Sequence, residues 1–212
     1  MRNLIVILFI LLSAKMAYTQ GTFEEKPIID IYEPGNIMIT LFASYPNFES
    51  YIISRGLNPE NNNLENFNIN GISPIGLRAD LFFNNQFSGT LEAMVNNWSL
   101  SYTDNNVSVN ASMTQFRMLI GFNYHILDHN VEDLNLYSGF AFGTNNRTFN
   151  RSASSDNYIY PNLLDISNFI GFPLSLRYRV GARYFFNDQW ALNTEAGIGG
   201  PIISLGISYR RK

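Results

Sequence analysis

Residues 174–184 read Leu-Ser-Leu-Arg-Tyr-Arg-Val-Gly-Ala-Arg-Tyr, and this stretch decides the fold. Leu174, Leu176, Tyr178, Val180, Ala182 and Tyr184 fall on one parity, Ser175, Arg177, Arg179, Gly181 and Arg183 on the other. Successive side chains of a strand point to opposite faces, so the stretch predicts a β-strand with one apolar face and one face of arginine and small residues. No helical period competes.

The same test, carried outward, finds seven more strands. Ile37, Ile39, Leu41, Ala43 and Tyr45 alternate with Met38, Thr40, Phe42 and Ser44. Ile75, Leu77, Ala79, Leu81 and Phe83 alternate with Gly76, Arg78, Asp80 and Phe82, and Leu91, Ala93 and Val95 with Thr90, Glu92, Met94 and Asn96. Phe116, Met118, Ile120, Phe122 and Tyr124 oppose Gln115, Arg117, Leu119, Gly121 and Asn123, while Leu136, Ser138, Phe140 and Phe142 oppose Tyr137, Gly139, Ala141 and Gly143. Leu192, Thr194, Ala196 and Ile198 oppose Asn193, Glu195, Gly197 and Gly199; Ile203, Leu205, Ile207 and Tyr209 oppose Ser204, Gly206, Ser208 and Arg210. Each segment is expected to run for about nine to eleven residues, the length a tilted strand needs to cross a bilayer.

The charges assign the faces. Arg78, Asp80, Glu92, Arg117, Arg177, Arg179, Arg183 and Glu195 all lie opposite the apolar stripe. An arginine facing lipid at the midplane costs roughly 2–4 kcal/mol, so the stripe is expected to meet lipid and the charges to face a lumen. A soluble barrel would reverse this, with many outward charges and especially lysines, and Lys is almost absent from these strands. Gly76, Gly121, Gly139, Gly143, Gly181, Gly197, Gly199 and Gly206 fall on the charged parity, where a narrow lumen must fit long side chains beside small ones. The expected fold is therefore all-β: an eight-stranded antiparallel up-and-down transmembrane β-barrel, preceded by a signal peptide.

Composition agrees. Of 212 residues, 46% are hydrophobic and 15% aromatic, but only 15% are charged, well under the roughly 25% of soluble domains. No apolar run approaches the roughly 20 residues of a membrane helix. The absence of cysteine removes disulfides, thiol nucleophiles and thiolate metal sites, and a net charge of -3 argues against nucleic acid as a partner.

Residues 1–19 carry Arg2, the apolar run 4–12 and the small-residue pattern Ala17-Tyr18-Thr19, as a cleaved secretory signal peptide does. Residues 20–34, with Glu24, Glu25, Asp30 and Glu33, are expected to form a periplasmic extension, and 35–212 the barrel domain. Connections near 84–86, 128–130 and 187–189 read as short turns, whereas 46–73, 103–111 and 144–170 are longer and rich in Asn and Ser. Short periplasmic turns, longer external loops and an even strand count place both termini in the periplasm. Tyr45, Phe83, Tyr102, Tyr124, Tyr184, Trp190 and Tyr209 are expected in interfacial aromatic girdles.

The pattern Pro-Leu-Ser-Leu-Arg-Tyr-Arg-Val-Gly-Ala-Arg-Tyr-Phe-Phe-Asn-Asp-Gln-Trp-Ala-Leu-Asn-Thr-Glu-Ala-Gly at 173–197, with Gly-Ile-Ser-Tyr at 206–209, resembles the small bacterial outer membrane β-barrel domain proteins. These include the porin-like, OmpX-like and OmpA-transmembrane-like group. The resemblance, over residues 35–212, implies the outer membrane of a Gram-negative envelope, with outer membrane lipids and the barrel-assembly machinery as partners. Such families usually end in an aromatic residue; here Tyr209 is followed by Arg210, Arg211 and Lys212.

Little in the chain suggests catalysis. His125 and His129 fall at the end of the fourth strand and in the following turn, and are read as a solvated pair rather than a metal site or part of a Ser-His-acid set. No catalytic residue, metal or cofactor is expected. The lumen charges, Arg78, Asp80, Glu92, Arg117, Arg177, Arg179, Arg183 and Glu195, are expected to form a paired plugging network, with a narrow porin-like path for ions or small solutes as the alternative. External loops 46–73 and 144–170, with Tyr51, Arg55, Arg147, Arg151, Tyr158 and Tyr160 as candidate contacts, would carry a structural or adhesive role toward an extracellular ligand that the sequence does not identify.

Overall fold

A strand with one apolar and one charged face needs two different neighbours, and a sheet closed on itself supplies them. In the computed structural model, which describes residues 34–45, 64–126, 133–157, 159 and 173–211, eight strands do so. They are β1 (Ile37–Tyr45), β2 (Glu65–Phe82), β3 (Phe87–Asp104), β4 (Val107–Ile126), β5 (Leu134–Ala153), β6 (Leu174–Phe185), β7 (Trp190–Ile198) and β8 (Ile203–Arg211). All neighbours are antiparallel, and β1 closes the barrel on β8 from Ile37 opposite Arg211 to Tyr45 opposite Ile203.

The parity reading holds around the ring. Leu41 and Leu176 on the outer face are 65% and 60% exposed, whereas Arg78, Arg179 and Arg183 are 0% exposed. With lipid as the outer solvent, exposed leucine is favourable and inward arginine avoids hydrocarbon. Two short hairpins share one device: Asn84 Oδ1 accepts from the Gln86 and Phe87 amides, and Asn187 Oδ1 from those of Gln189 and Trp190, at 2.8–2.9 Å. An asparagine that caps its own turn explains why Asn-Asn-Gln and Asn-Asp-Gln stand there.

Strand length departs from expectation. β1, β7 and β8 have 9 residues and β6 has 12, but β2 and β3 have 18 and β4 and β5 have 20. Four adjacent strands therefore continue past the others at the end opposite the start of β1 and the end of β8. Much of the expected external loops is strand: 65–73 belongs to β2, 144–153 to β5, and 103–111 is a hairpin turning on Asn105 and Asn106, whose φ angles are 48° and 65°. The outward face changes from Val95 to Asn97, Ser99 and Ser101 on β3, and from Phe116 to Thr114, Ser112 and Asn110 on β4. The inward face becomes apolar at the same level. Alternation persists, but its faces are inverted, so a search for a continuous apolar stripe stops at the lipid boundary.

Inside the projecting part, Trp98, Leu100, Tyr102, Val109, Ala111 and Met113 form a buried cluster. A register shift between Ile72 and Ile75 changes the inward parity of β2, and Phe67 and Ile69 pack against this cluster. Tyr102, expected in a girdle, is 2% exposed within it. Tyr45, Phe83, Tyr124 and Trp190 do lie on the outer surface, Trp190 with its ring centroid 4.9 Å from that of Tyr209.

Candidate functional site

The middle of the lumen is crossed by charged side chains from four strands. Register first places Arg78 on β2 opposite Glu92 on β3. Arg177 and Arg179 follow on β6 at the same parity, and Glu195 enters from β7. Space for them comes from glycine: Arg179 has Gly139 opposite it on β5 and Gly197 on β7. A Cβ at Gly139 would lie 3.1 Å from Arg179 Nε and overlap Asn123 Oδ1.

Three carboxylates gather four guanidinium groups. Glu92 accepts from Arg177 through Oε1 and, at 2.8 Å, from Arg179 Nη1 through Oε2, with Arg78 Nη1 3.7 Å from the same Oε2. Glu195 accepts from Arg78, from Arg177 Nη2 at 3.2 Å, and from the Tyr137 hydroxyl. Asp80 accepts from Arg183 and from Asn123 Nδ2 at 3.0 Å, with Arg78 Nε 3.6 Å away. Neutral groups complete the set: Arg179 Nη2 donates to Thr90 Oγ1 at 3.1 Å and to Asn123 Oδ1 at 2.9 Å. The Arg183 guanidinium lies 4.5 Å from the Tyr137 ring centroid, and those of Arg78 and Arg177 lie over Phe42. Buried charge is costly unless paired and hydrogen-bonded, and here each carboxylate has several donors.

Seven of the eight lumen residues named from the sequence therefore meet in one buried network. Arg117 lies nearer the projecting end, half-buried, where its Nη1 donates to the Gly199 carbonyl at 3.0 Å. Above the network, Gln115 Nε2 donates to Asn145 Oδ1 at 2.8 Å. Sequence reading missed Tyr137, Asn123, Thr90 and Phe42 as members. The signal was present, since all four share the lumen parity, and Tyr137 is the one large residue among Gly139, Ala141 and Gly143 on that face of β5.

The histidine reading needs correction. His125 is fully buried on the lumen face, with Nε2 2.9 Å from Ser88 Oγ and Nδ1 3.1 Å from Asn135 Oδ1, packed against Phe82 and Tyr137. The strand carries its inward parity to position 125, so the ring stays in the lumen rather than in solvent. This serine, histidine and asparagine series has the spacing of a nucleophile, base and orienting group. Ser88 is, however, 0% exposed, and its Oγ also accepts from Asn123 Nδ2 at 3.2 Å. His129 lies outside the described residues, and no group of three or more potential metal ligands occurs among those described.

Of the candidate loop contacts, Arg147 and Arg151 belong to β5, the first half-buried on the inward face opposite Gln115 and the second exposed. Tyr51, Arg55, Tyr158 and Tyr160 lie outside the described residues, as do 1–33, 46–63, the turn at 128–130 and 160–172. On the projecting strands, the Asn and Ser side chains of β2–β5, with Arg151, Leu100 and Ala111, line a shallow groove.

The family described as outer membrane protein beta-barrel domain matches residues 35–205. Among solved structures, the outer membrane protein OprG from Pseudomonas aeruginosa is similar at 13% identity and a TM-score of 0.48, over 85% of this chain and 97% of that one. Ail, the attachment invasion locus protein of Yersinia pestis, solved also in complex with the heparin analogue sucrose octasulfate, is similar at 11% identity and a TM-score of 0.44, over 84% of this chain and 99% of that one. The N-terminal beta-barrel domain of Pseudomonas aeruginosa OprF is similar at 12% identity and a TM-score of 0.42, over 84% and 98% of the two chains. A search of curated proteins finds no match.

Proposed function

The chain belongs to the outer membrane protein beta-barrel domain family, and from that premise we propose that it is a non-conducting, non-enzymatic barrel with a structural or adhesive role carried by its projecting sheet. The observation that carries this reading is the continuation of β2–β5 to 18–20 residues beside strands of 9–12, with an apolar cluster of its own. A sheet that only had to cross lipid would not need it. A rigid scaffold lifting loops clear of the membrane is a common setting for binding.

The same reading places the projecting end outside the cell and both termini, with the short turns at 84–86 and 187–189, in the periplasm after export by a signal peptide at 1–19. It makes outer membrane lipids the partners of the apolar belt and the barrel-assembly machinery the partner in biogenesis. An extracellular ligand would meet the projecting strands and the segments 46–63 and 160–172; nucleic acid is not a partner. Against a narrow pore stands the crowding of the lumen by buried ion pairs, and against catalysis the full burial of Ser88 and His125.

Two measurements test this. Planar bilayers should remain silent; steady conductance that changes in Arg177→Ala or Glu195→Ala would establish the pore instead. Because Asn97 and Thr114 are paired, replacing 98–113 by a two-residue Asn-Gly turn should remove the top of the sheet and leave the barrel. Cells carrying this variant should lose attachment to surfaces that cells with the intact protein bind, and unchanged attachment would remove the adhesive role.

A further inference from the structure

Buried charge in the lumen does not balance. Among the described residues, five arginines, Arg78, Arg177, Arg179, Arg183 and Arg210, are buried with three carboxylates, Asp80, Glu92 and Glu195. Arg78, Arg177, Arg179 and Arg183 reach those carboxylates. Arg210 does not: it is 1% exposed, and its Nε, Nη1 and Nη2 have no hydrogen-bond partner. Nε and Nη1 of Arg183 and the Nε atoms of Arg78 and Arg177 are unpartnered too, but each of those three side chains reaches a carboxylate through another nitrogen. Arg210, the one of the five without a carboxylate, stands at the end of the lumen where β1 begins and β8 ends, opposite Met38 on β1.

Among the described residues, the acids near that end are engaged or exposed: Asp80, which faces Met38 from β2, is taken by Arg183, and Asp133 is exposed. Met38, Phe82, Phe185 and Ala191 form an apolar cluster there. His125 is occupied by Ser88 and Asn135. Asp188 borders the same rim groove as Arg210 and Arg211, but it is exposed and forms no ion pair with either. A buried guanidinium is among the costliest groups an interior can hold unless an anion completes it.

We propose that Arg210 anchors an anion site at the end of the lumen where β1 begins and β8 ends, and that its ligand is a carboxylate. The guanidinium fork matches a planar carboxylate with two parallel hydrogen bonds, and a carboxylate is small enough for a buried position. Two sources share this chemistry. One is the chain itself: Glu24, Glu25, Asp30 and Glu33 precede β1 in sequence, and the chain enters β1 at this rim, where the Gly35 amide donates to the Phe82 carbonyl and the Phe82 amide to that of Asn36. The other is a separate small carboxylate entering from the compartment at that end.

The thermal midpoint of barrel unfolding, followed by far-ultraviolet circular dichroism on protein purified from membranes in detergent, tests the site. Arg210→Met keeps length and removes charge; the proposal expects its midpoint to fall by several degrees. If the chain supplies the carboxylate, the quadruple variant E24Q/E25Q/D30N/E33Q falls similarly and Arg210→Met adds nothing to it. If the source is separate, the quadruple variant is unchanged, and sodium acetate at constant ionic strength raises the midpoint of the unaltered protein but not that of Arg210→Met. A midpoint that rises in Arg210→Met and responds to neither acetate nor the acidic substitutions overturns the proposal, because relief of an unpaired charge gives that result. Should Arg210→Met not fold, the acetate and quadruple-variant arms both retain Arg210, and no shift in either overturns it.

Discussion

Arg78 on β2 and Glu195 on β7 stand 117 positions apart in the chain, yet the Arg78 guanidinium donates directly to the Glu195 carboxylate across the lumen. Glu195 also receives Arg177 and Tyr137, so one carboxylate ties together the walls formed by β2, β5, β6 and β7. The barrel is cross-linked through its centre as well as around its hydrogen-bonded circumference.

Removing that carboxylate leaves two buried guanidinium groups short of a partner. Glu195→Ala should therefore destabilise the barrel by about 3–5 kcal/mol, the cost of breaking a buried pair from one side. Equilibrium unfolding in urea from detergent micelles measures this. A loss below about 1 kcal/mol would mean that water enters and solvates the arginines.

Tyr137 offers a milder cut. Its hydroxyl serves Glu195 and lies 2.9 Å from Asn193 Oδ1, while its ring supports Arg183. Tyr137→Phe keeps the ring and removes the hydroxyl, so the expected loss is about 1–3 kcal/mol, since Glu195 loses one of its three donors and Arg78 Nη2 loses its acceptor. Tyr137→Ala should cost clearly more in the same assay, since packing and the cation–π contact go with it.

The absence of cysteine makes the projecting sheet directly testable. Ser101 lies on the outward polar face of β3, and Leu91 on the apolar belt of the same strand. On intact cells a membrane-impermeant maleimide should label Ser101→Cys and leave Leu91→Cys unlabelled. Equal protection of both would place the upper half of β3 inside the envelope and overturn the orientation.

Ser88, His125 and Asn135 are expected to act as scaffold. His125→Ala should lower stability by about 1–3 kcal/mol through unpaired partners, and a fluorophosphonate probe should not label Ser88. Labelling lost in Ser88→Ala would instead reveal an accessible nucleophile.

Much of this was legible in the chain, because parity is a local property. The series from Leu174 to Tyr184 already separates lipid-facing from lumen-facing positions, and its three arginines already lie on the inner face. Strand length was read too short for β2–β5, since the sequence test followed the apolar stripe. Above Val95 and Phe116 the outer solvent changes from lipid to water and the stripe moves inside, to Trp98, Leu100 and Met113. His125 was misread because its neighbourhood looked like a turn, although its parity matched that of Asn123.

By itself, then, the sequence determined the number of strands, their two faces and the confinement of charge to one of them, because each follows from a period of two along the backbone. Only the tertiary structure decided which arginine meets which carboxylate, that Tyr137 and Asn123 complete the network, and that Arg210 is left without a partner. Those pairings depend on register, on the closure of β1 against β8, and on how far each side chain reaches across the lumen. None of these is a property of neighbouring residues in the chain.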